Sequence, residues 1–177
     1  MNNSVFLSNI EFRPDVDGLT RRLRLKAGSA DAAEFIAMLD EAVRIARPVA
    51  FYRKVMVEQR DVETVTIAGV RFESRVLRVN LEKAPVVYPF LASCGVALQG
   101  WGETQADMIR GYWAEMIKEE ALRMSLSALF QEIDQREGPA HFSTMSPGSL
   151  ESWPISQQAP LFELLGLEAR QVGVTLT

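Results

Sequence analysis

One stretch of the chain places apolar residues at the three- and four-residue spacing of an amphipathic helix. It begins after Gly28, with Ser29 as a suitable N-cap, and Pro48 ends it. This spacing predicts a helix with a single apolar face. The predicted face consists of Phe35, Ile36, Leu39, Val43 and Ala46.

A second and longer helical pattern runs from residue 104 to residue 137. Gly111 is the one position in it where we expect a break or kink, because glycine is a poor helix former. On this helix Lys118 and Glu119 are expected to face water. The predicted apolar stripe consists of Trp113, Met116, Ile117, Ala121, Met124, Ala128 and Leu129.

Between these helices the pattern changes to short runs rich in β-branched residues, which favour strands. Residues 49–81 predict two or three strands with a tight hairpin at Gly69, while residues 74–81 fit either a strand or a helical turn capped by Ser74. The apolar run at residues 86–98 predicts one buried strand, with an irregularity at Pro89 and a close backbone approach at Gly95. Residues 101–103 are expected to form a loop.

Most of the turn-forming residues lie together after the long helix, in residues 141–166. Ser146-Pro147-Gly148-Ser149 predicts a tight turn of type I or II, whose backbone amides we expect to point outward. Pro160 suits the first turn of a short helix over residues 159–165, which would dock through its leucines. Residues 172–176 alternate as a final strand would.

Length, composition and charge exclude several classes of protein. With 177 residues, 47% hydrophobic and 24% charged, the chain suits one globular domain. The net charge of −4 disfavours nucleic acid as a partner. The chain has a single cysteine, its N-terminus lacks a signal-peptide pattern, and no apolar run reaches the length of a membrane helix. We therefore expect a cytoplasmic protein without a membrane span.

The sequence offers few residues for self-contained catalysis. A glycine-rich phosphate loop is absent, and one histidine with one cysteine is too few for a zinc site or a nucleophilic pair of known type. His141 is more typical of a structural hydrogen-bonding residue than of a ligand, and Cys94 is more typical of an inert core thiol. We expect no catalytic residue and no metal site.

Residues 84–177 resemble the reactivation domain of cobalamin-dependent methionine synthase, and more closely the free-standing proteins built on it. The resemblance rests on an apolar strand entering a glycine turn, a long helix, a PGY-type turn with a downstream proline, and a Leu-Phe-x-Leu-Leu helix. The final residues are similar to the start of the family's last signature, which normally continues into a closing segment, so we expect a C-terminal truncation at Thr177. The sequence segments are VVYPFLASCGVALQGW, SPGSLESWPISQQAPLFELLG and GVTLT.

The resemblance implies an α+β fold, with a curved, helmet-like shape and a twisted antiparallel sheet packed against long helices. It also implies that the turn holds S-adenosylmethionine beside a cobalamin, so that oxidised cobalt can be reduced and remethylated. Ser146 and Gly148 match the family residues that bind through their backbone. The cobalamin would be held by a partner protein.

Two residues depart from the family's motif. Thr144 stands where the family has an arginine, and Ser149 stands where it has a tyrosine. Threonine cannot replace the bidentate contact of a guanidinium with a carboxylate, so we expect weakened binding of S-adenosylmethionine.

These features lead to two functional predictions. The first is an accessory protein that reactivates a cobalamin-dependent methyltransferase, with a corrinoid-binding methyltransferase protein and an electron donor protein as partners. The second is an interaction module that keeps the fold and has lost the S-adenosylmethionine site. A final strand with an open edge would favour pairing into a homo-oligomer.

Overall fold

The structure of the protein, a computed structural model, describes residues 3–138, 142–149 and 152–176. It is mixed α and β, which confirms the predicted α+β class. The strands are β1 Ser4–Leu7, β2 Val49–Arg53, β3 Val55–Arg60, β4 Thr64–Ile67, β5 Val70–Glu73, β6 Val86–Val87 and β7 Phe90–Ser93. The α-helices are α1 Val16–Arg22, α2 Ala30–Ile45, α3 Arg75–Asn80, α4 Val96–Glu103, α5 Met108–Glu137 and α6 Gln158–Leu165.

Four strands form an antiparallel sheet in the order β5-β4-β3-β6. The connection from β4 to β5 is the two-residue turn Ala68-Gly69, in which both φ angles are positive, at 47° and 80°. Two positive φ angles are typical of a type I′ hairpin turn, whose twist matches that of the strands. The hairpin predicted at Gly69 is therefore confirmed. Residues 74–81 fitted either a strand or a helical turn, and the structure has the helix α3 there. The Ser74 hydroxyl accepts a hydrogen bond from the Leu77 amide.

A second sheet has three strands in the order β1-β2-β7. The strand predicted over residues 86–98 is wrong in extent, because it is divided between β6 and β7 at Pro89 and ends at Ser93. From Val96 the chain is helical, so the loop expected at residues 101–103 lies inside α4. A short apolar run lacks the period that separates a strand from a buried helix. The close approach at Gly95 is confirmed, since a Cβ there would lie 2.4 Å from the Arg47 carbonyl oxygen.

The chain divides into two compact units, each with its own apolar cluster. Unit 1 consists of Met1–Phe6, Phe51–Leu91 and Ile133–Thr177, and unit 2 consists of Leu7–Ala50 and Ala92–Glu132. The buried cluster of unit 1 consists of Val55, Val57, Val65, Ile67, Phe72, Leu77, Trp153 and Leu164. The buried cluster of unit 2 comes mainly from helices and contains Phe12, Leu19, Phe35, Met38, Leu39, Ala42, Ala46, Leu98, Trp101, Trp113, Ala114, Ile117 and Ala121.

The helix α2 begins and ends as the sequence predicts, but its buried face differs. The Ser29 hydroxyl caps it by accepting from the Ala32 amide at 3.2 Å. Ile36 and Val43, both predicted to be buried, are 41% and 39% exposed. Met38 and Ala42 are buried in their place, so the buried face is rotated around the helix axis.

The helix α5 is continuous over 30 residues, so of the break or kink predicted at Gly111 the break is wrong. Gly111 lies in the first turns, where its amide donates to the Asp107 carbonyl at 2.7 Å. The Asp107 carboxylate accepts from the Ile109 amide and caps the helix. Lys118, predicted to face water, is only 8% exposed, and its ammonium group contacts Glu115 at 2.7 Å and Gln99 at 3.2 Å. The Glu115 carboxylate pairs with the charge, and the Gln99 amide oxygen accepts a hydrogen bond from it.

Toward the C-terminus the predicted short helix is confirmed as α6, with Pro160 in its first turn. The predicted final strand is wrong. Leu167–Val172 form a 3-10 helix, Gly173 has a left-handed φ of 77°, and residues 173–176 have no regular structure. The prediction of a homo-oligomer that pairs through this strand therefore loses its structural basis. Within the described residues, no helix combines the length and the apolar character needed to cross a membrane.

Candidate functional site

The predicted turn at residues 146–149 is present, and its type follows from its backbone. The Ser149 amide donates to the Ser146 carbonyl at 3.1 Å, which closes the turn. Gly148 has a φ of 89° at the third position, where a type II turn requires a positive angle. Pro147, at the second position, is buried, while Ser146, Gly148 and Ser149 are exposed. The turn is therefore of type II and presents three of the four predicted site residues at the surface.

The amides of this turn do not point outward as expected. The Gly148 amide donates to the Trp153 carbonyl at 2.7 Å, and the Ser149 amide is used inside the turn. The Ser149 hydroxyl also donates to the Ser146 carbonyl, at 2.6 Å. These two amides and the Ser149 hydroxyl are therefore used within the segment itself.

The fourth predicted site residue, Thr144, lies two residues upstream of the turn and is exposed. Within the described residues it forms no hydrogen bond with the turn, so the structure brings together only the other three. No arginine or lysine there hydrogen-bonds to residues 142–149 either. Among the described residues, the site therefore has no charged side chain hydrogen-bonded to it that could bind a carboxylate. His141 lies outside the described residues.

Contacts on both sides hold the turn on unit 1. Met145 and Trp153 pack against the apolar cluster of the four-stranded sheet, with Trp153 only 5% exposed. The Ser74 hydroxyl donates to the Ser152 carbonyl at 2.9 Å. The Gln157 side-chain oxygen accepts from the Glu73 amide at the edge strand β5, also at 2.9 Å. The segment is therefore attached both before and after the turn, whereas the sequence indicated attachment only through α6.

Trp153 has a second property that the sequence does not reveal. Its indole Nε1 is buried and has no hydrogen-bond partner within the described residues. The ring itself belongs to the apolar cluster of unit 1. The Ser74 and Gln157 contacts were missed as well. Only Ser74 carries a local signal, as a helix N-cap.

A group of titratable and aromatic side chains lies next to the start of the same segment. Lys54 forms an ion pair with Glu137, and the Tyr88 ring lies between those of Tyr52 and Phe142, at centroid distances of 6.2 and 5.8 Å. The hydrogen bond from Lys54 lowers the pKa of Glu137 and correspondingly raises the pKa of Lys54. Burial raises the pKa of the Tyr88 hydroxyl. These shifts keep the pair charged and Tyr88 neutral near pH 7, as in a structural contact.

Unit 2 offers two further features, neither of which contains a predicted site residue. The half-buried Cys94 has its pKa raised by burial, which is typical of an unreactive thiol. A cleft of about 540 Å³ lies among residues between Val16 and Ile36. The described residues include no group of three histidine, cysteine, aspartate or glutamate side chains able to hold a metal ion.

Comparison with known proteins leaves the family unassigned. No protein-family model matches the chain, and no curated protein gives a significant match.

Proposed function

We propose that this chain is a cytoplasmic accessory protein that reactivates a cobalamin-dependent methyltransferase by presenting S-adenosylmethionine to an oxidised corrinoid. The observation that carries the proposal is the exposed type II turn at residues 146–149, attached on both sides. It lies where the resemblance to the methionine synthase reactivation domain places the ligand. A rigid turn with glycine at its third position lets a ligand approach the backbone closely.

In this proposal the chain contributes binding and orientation. Ser146, Gly148 and Ser149 would hold the amino acid part of S-adenosylmethionine, which supplies the methyl group when bound. The corrinoid stays on its own methyltransferase protein, and the electron comes from a separate donor protein. Attachment of the turn to the sheet of unit 1 favours this role, because a turn that is held in place can orient its bound ligand toward the corrinoid.

Isothermal titration tests the proposal directly. S-adenosylmethionine is titrated into the chain alone and into the chain mixed with a corrinoid-bearing methyltransferase protein. We expect measurable binding in the mixture, where the corrinoid protein completes the surroundings of the ligand. Absence of heat in both titrations, with the chain shown to be folded by circular dichroism, would refute the proposal.

The residues and the internal hydrogen bonds of the turn favour a second candidate function. Thr144 and Ser149 stand where the resemblance would place an arginine and a tyrosine, and the Gly148 and Ser149 amides are used internally. These facts favour an interaction module that has lost the small-molecule site and binds a corrinoid protein only. The double variant Thr144→Arg, Ser149→Tyr distinguishes the two functions.

If the second function is correct, only the double variant binds S-adenosylmethionine, while pull-down of the corrinoid protein is unchanged. The matched control is Ser143→Arg, which adds the same charge at the neighbouring exposed position. Affinity in the unmodified chain would contradict the second function and support the first.

A further inference from the structure

The hydrogen bonds of the turn at residues 146–149 determine which kind of ligand group it can meet. The Gly148 amide donates a hydrogen bond to the Trp153 carbonyl at 2.7 Å, and the Ser149 amide donates one to the Ser146 carbonyl at 3.1 Å. The Ser146 carbonyl is also occupied, because it accepts from the amide and the hydroxyl of Ser149. What the turn still offers must therefore come from its other polar atoms.

The direction of the Gly148 carbonyl follows from peptide geometry. All described peptide bonds are trans, so the C=O and N–H of one peptide group point in opposite directions. The Ser149 N–H points into the turn toward the Ser146 carbonyl. The Gly148 carbonyl in the same peptide group therefore points away from it, and Gly148 is exposed. This oxygen is an acceptor without a hydrogen bond among the described residues.

The Ser149 hydroxyl adds a second acceptor. Its proton lies on the bond to the Ser146 carbonyl, at 2.6 Å, so its lone pairs are what it can offer to a ligand. The exposed hydroxyls of Thr144 and Ser146 can accept as well. In the described part of this segment no guanidinium or ammonium group is hydrogen-bonded, so a carboxylate would meet only neutral donors such as these hydroxyls, whose hydrogen bonds are weaker than those of a charged donor.

We infer that the turn recognises the ammonium group of the amino acid part of its ligand, and not the carboxylate. The inference rests on the proposed function, in which the ligand is S-adenosylmethionine. An alkylammonium group has three donors and no acceptor, which matches the Gly148 carbonyl and the neighbouring hydroxyl oxygens. Hydrogen bonds from a charged donor are roughly twice as strong as neutral ones, so the ammonium group would dominate recognition.

Two analogues of S-adenosylmethionine separate the alternatives, and both keep the sulfonium centre and the adenosine. Decarboxylated S-adenosylmethionine lacks the carboxylate, and the 2-oxo acid analogue lacks the ammonium group. Each is titrated into the full chain, alone and with the corrinoid protein. We expect decarboxylated S-adenosylmethionine to bind within about threefold of the parent, and the 2-oxo acid analogue to bind at least about tenfold more weakly.

The variant Thr144→Arg gives a further readout, with Ser143→Arg as its control. Arginine at position 144 supplies the missing guanidinium, so we expect it to improve binding of S-adenosylmethionine by about tenfold relative to the decarboxylated analogue, because only the parent ligand has a carboxylate to meet it. An equal gain for both ligands would overturn the inference, because it would show a general effect of charge.

The outcomes separate this inference from the proposed function. If S-adenosylmethionine binds and loss of the carboxylate weakens binding at least as much as loss of the ammonium group, the inference is overturned while the proposed function stands. Equal binding of all three ligands overturns it in the same way. If no ligand binds with or without the corrinoid protein, the proposed function fails, and the inference fails with it.

Discussion

Gly148 combines a left-handed backbone with a close neighbour, and the candidate site depends on both. Its φ is 89°, and a Cβ built on it would lie 3.3 Å from the Cβ of Ile155. Gly69 has a similar φ of 80°, but nothing lies within 4 Å of its Cβ position. The two glycines thus separate the cost of backbone strain from the cost of a steric contact.

Replacing Gly148 with alanine is expected to destabilise unit 1 more than replacing Gly69. Each substitution forces a left-handed φ on alanine, at about 1–2 kcal/mol. Gly148→Ala must also displace Ile155 and weaken the hydrogen bond to the Trp153 carbonyl. Urea denaturation followed by circular dichroism measures both changes in unfolding free energy. An equal or smaller loss for Gly148→Ala would show that the contact with Ile155 yields without cost.

The same turn shows what can be predicted from sequence at this scale. Pro147-Gly148 predicts a tight turn because proline fixes φ and glycine accepts a positive φ, and both effects are local. The acceptor of the Gly148 amide is not predictable in this way, since it depends on where the chain returns at Trp153. For that reason the prediction of outward-pointing amides is wrong, while the prediction of the turn itself is confirmed.

At the scale of elements, the helix caps predicted from the sequence are confirmed, whereas the single strand predicted from an apolar run is not. Ser29 and Ser74 cap α2 and α3, because a serine hydroxyl meets amides only three residues away. The run at residues 86–98 was assigned to one strand, although its second part is α4. Tertiary packing determines that this part is helical, because the short apolar run has neither the helix nor the strand periodicity in its sequence. Likewise, Gly111 is tolerated in α5 close to the N-terminal cap at Asp107.

Ser74 has a double role that makes it a sharper test than an ordinary cap. Its hydroxyl accepts from the Leu77 amide and donates to the Ser152 carbonyl, so Ser74→Ala leaves two groups without a partner. Because Ser74 is 3% exposed, we expect a loss of about 2–3 kcal/mol in the unfolding free energy.

Ser29→Ala is the matched control, because its hydroxyl makes only the cap hydrogen bond among the described residues, and the substitution should cost about 1 kcal/mol. Urea midpoints compare the two variants. If Ser74→Ala costs no more than Ser29→Ala, the bond to the Ser152 carbonyl contributes nothing to holding the candidate site.

At the scale of the whole molecule, the path of the chain joins the two units. The boundaries fall between residues 6 and 7, 50 and 51, 91 and 92, and 132 and 133. They cut through β1, β2, β7 and α5, so each of these elements continues from one unit into the other. Melting one unit alone would end the hydrogen-bond ladder of α5 inside a regular helix. We therefore expect the single domain predicted from the sequence to unfold as one cooperative unit.

The three tryptophans allow this expectation to be measured, because they report on different units. Trp153 lies in unit 1, and Trp101 and Trp113 lie in unit 2. The variant Trp153→Phe keeps only the reporters of unit 2, and its cost should be small because the buried indole Nε1 has no partner among the described residues. The double variant Trp101→Phe, Trp113→Phe keeps only Trp153. In each protein, the urea midpoint from fluorescence should coincide with the midpoint from circular dichroism.

Separate midpoints would contradict the expectation and would have a direct meaning for the candidate site. If the Trp153 signal changed at a lower urea concentration than the helical signal, the segment that carries the turn would open while α5 stayed folded. Such local opening would release the Gly148 and Ser149 amides from their internal acceptors. The turn could then offer these amides to a carboxylate, whereas coincident midpoints would indicate that they stay bonded until the whole chain unfolds.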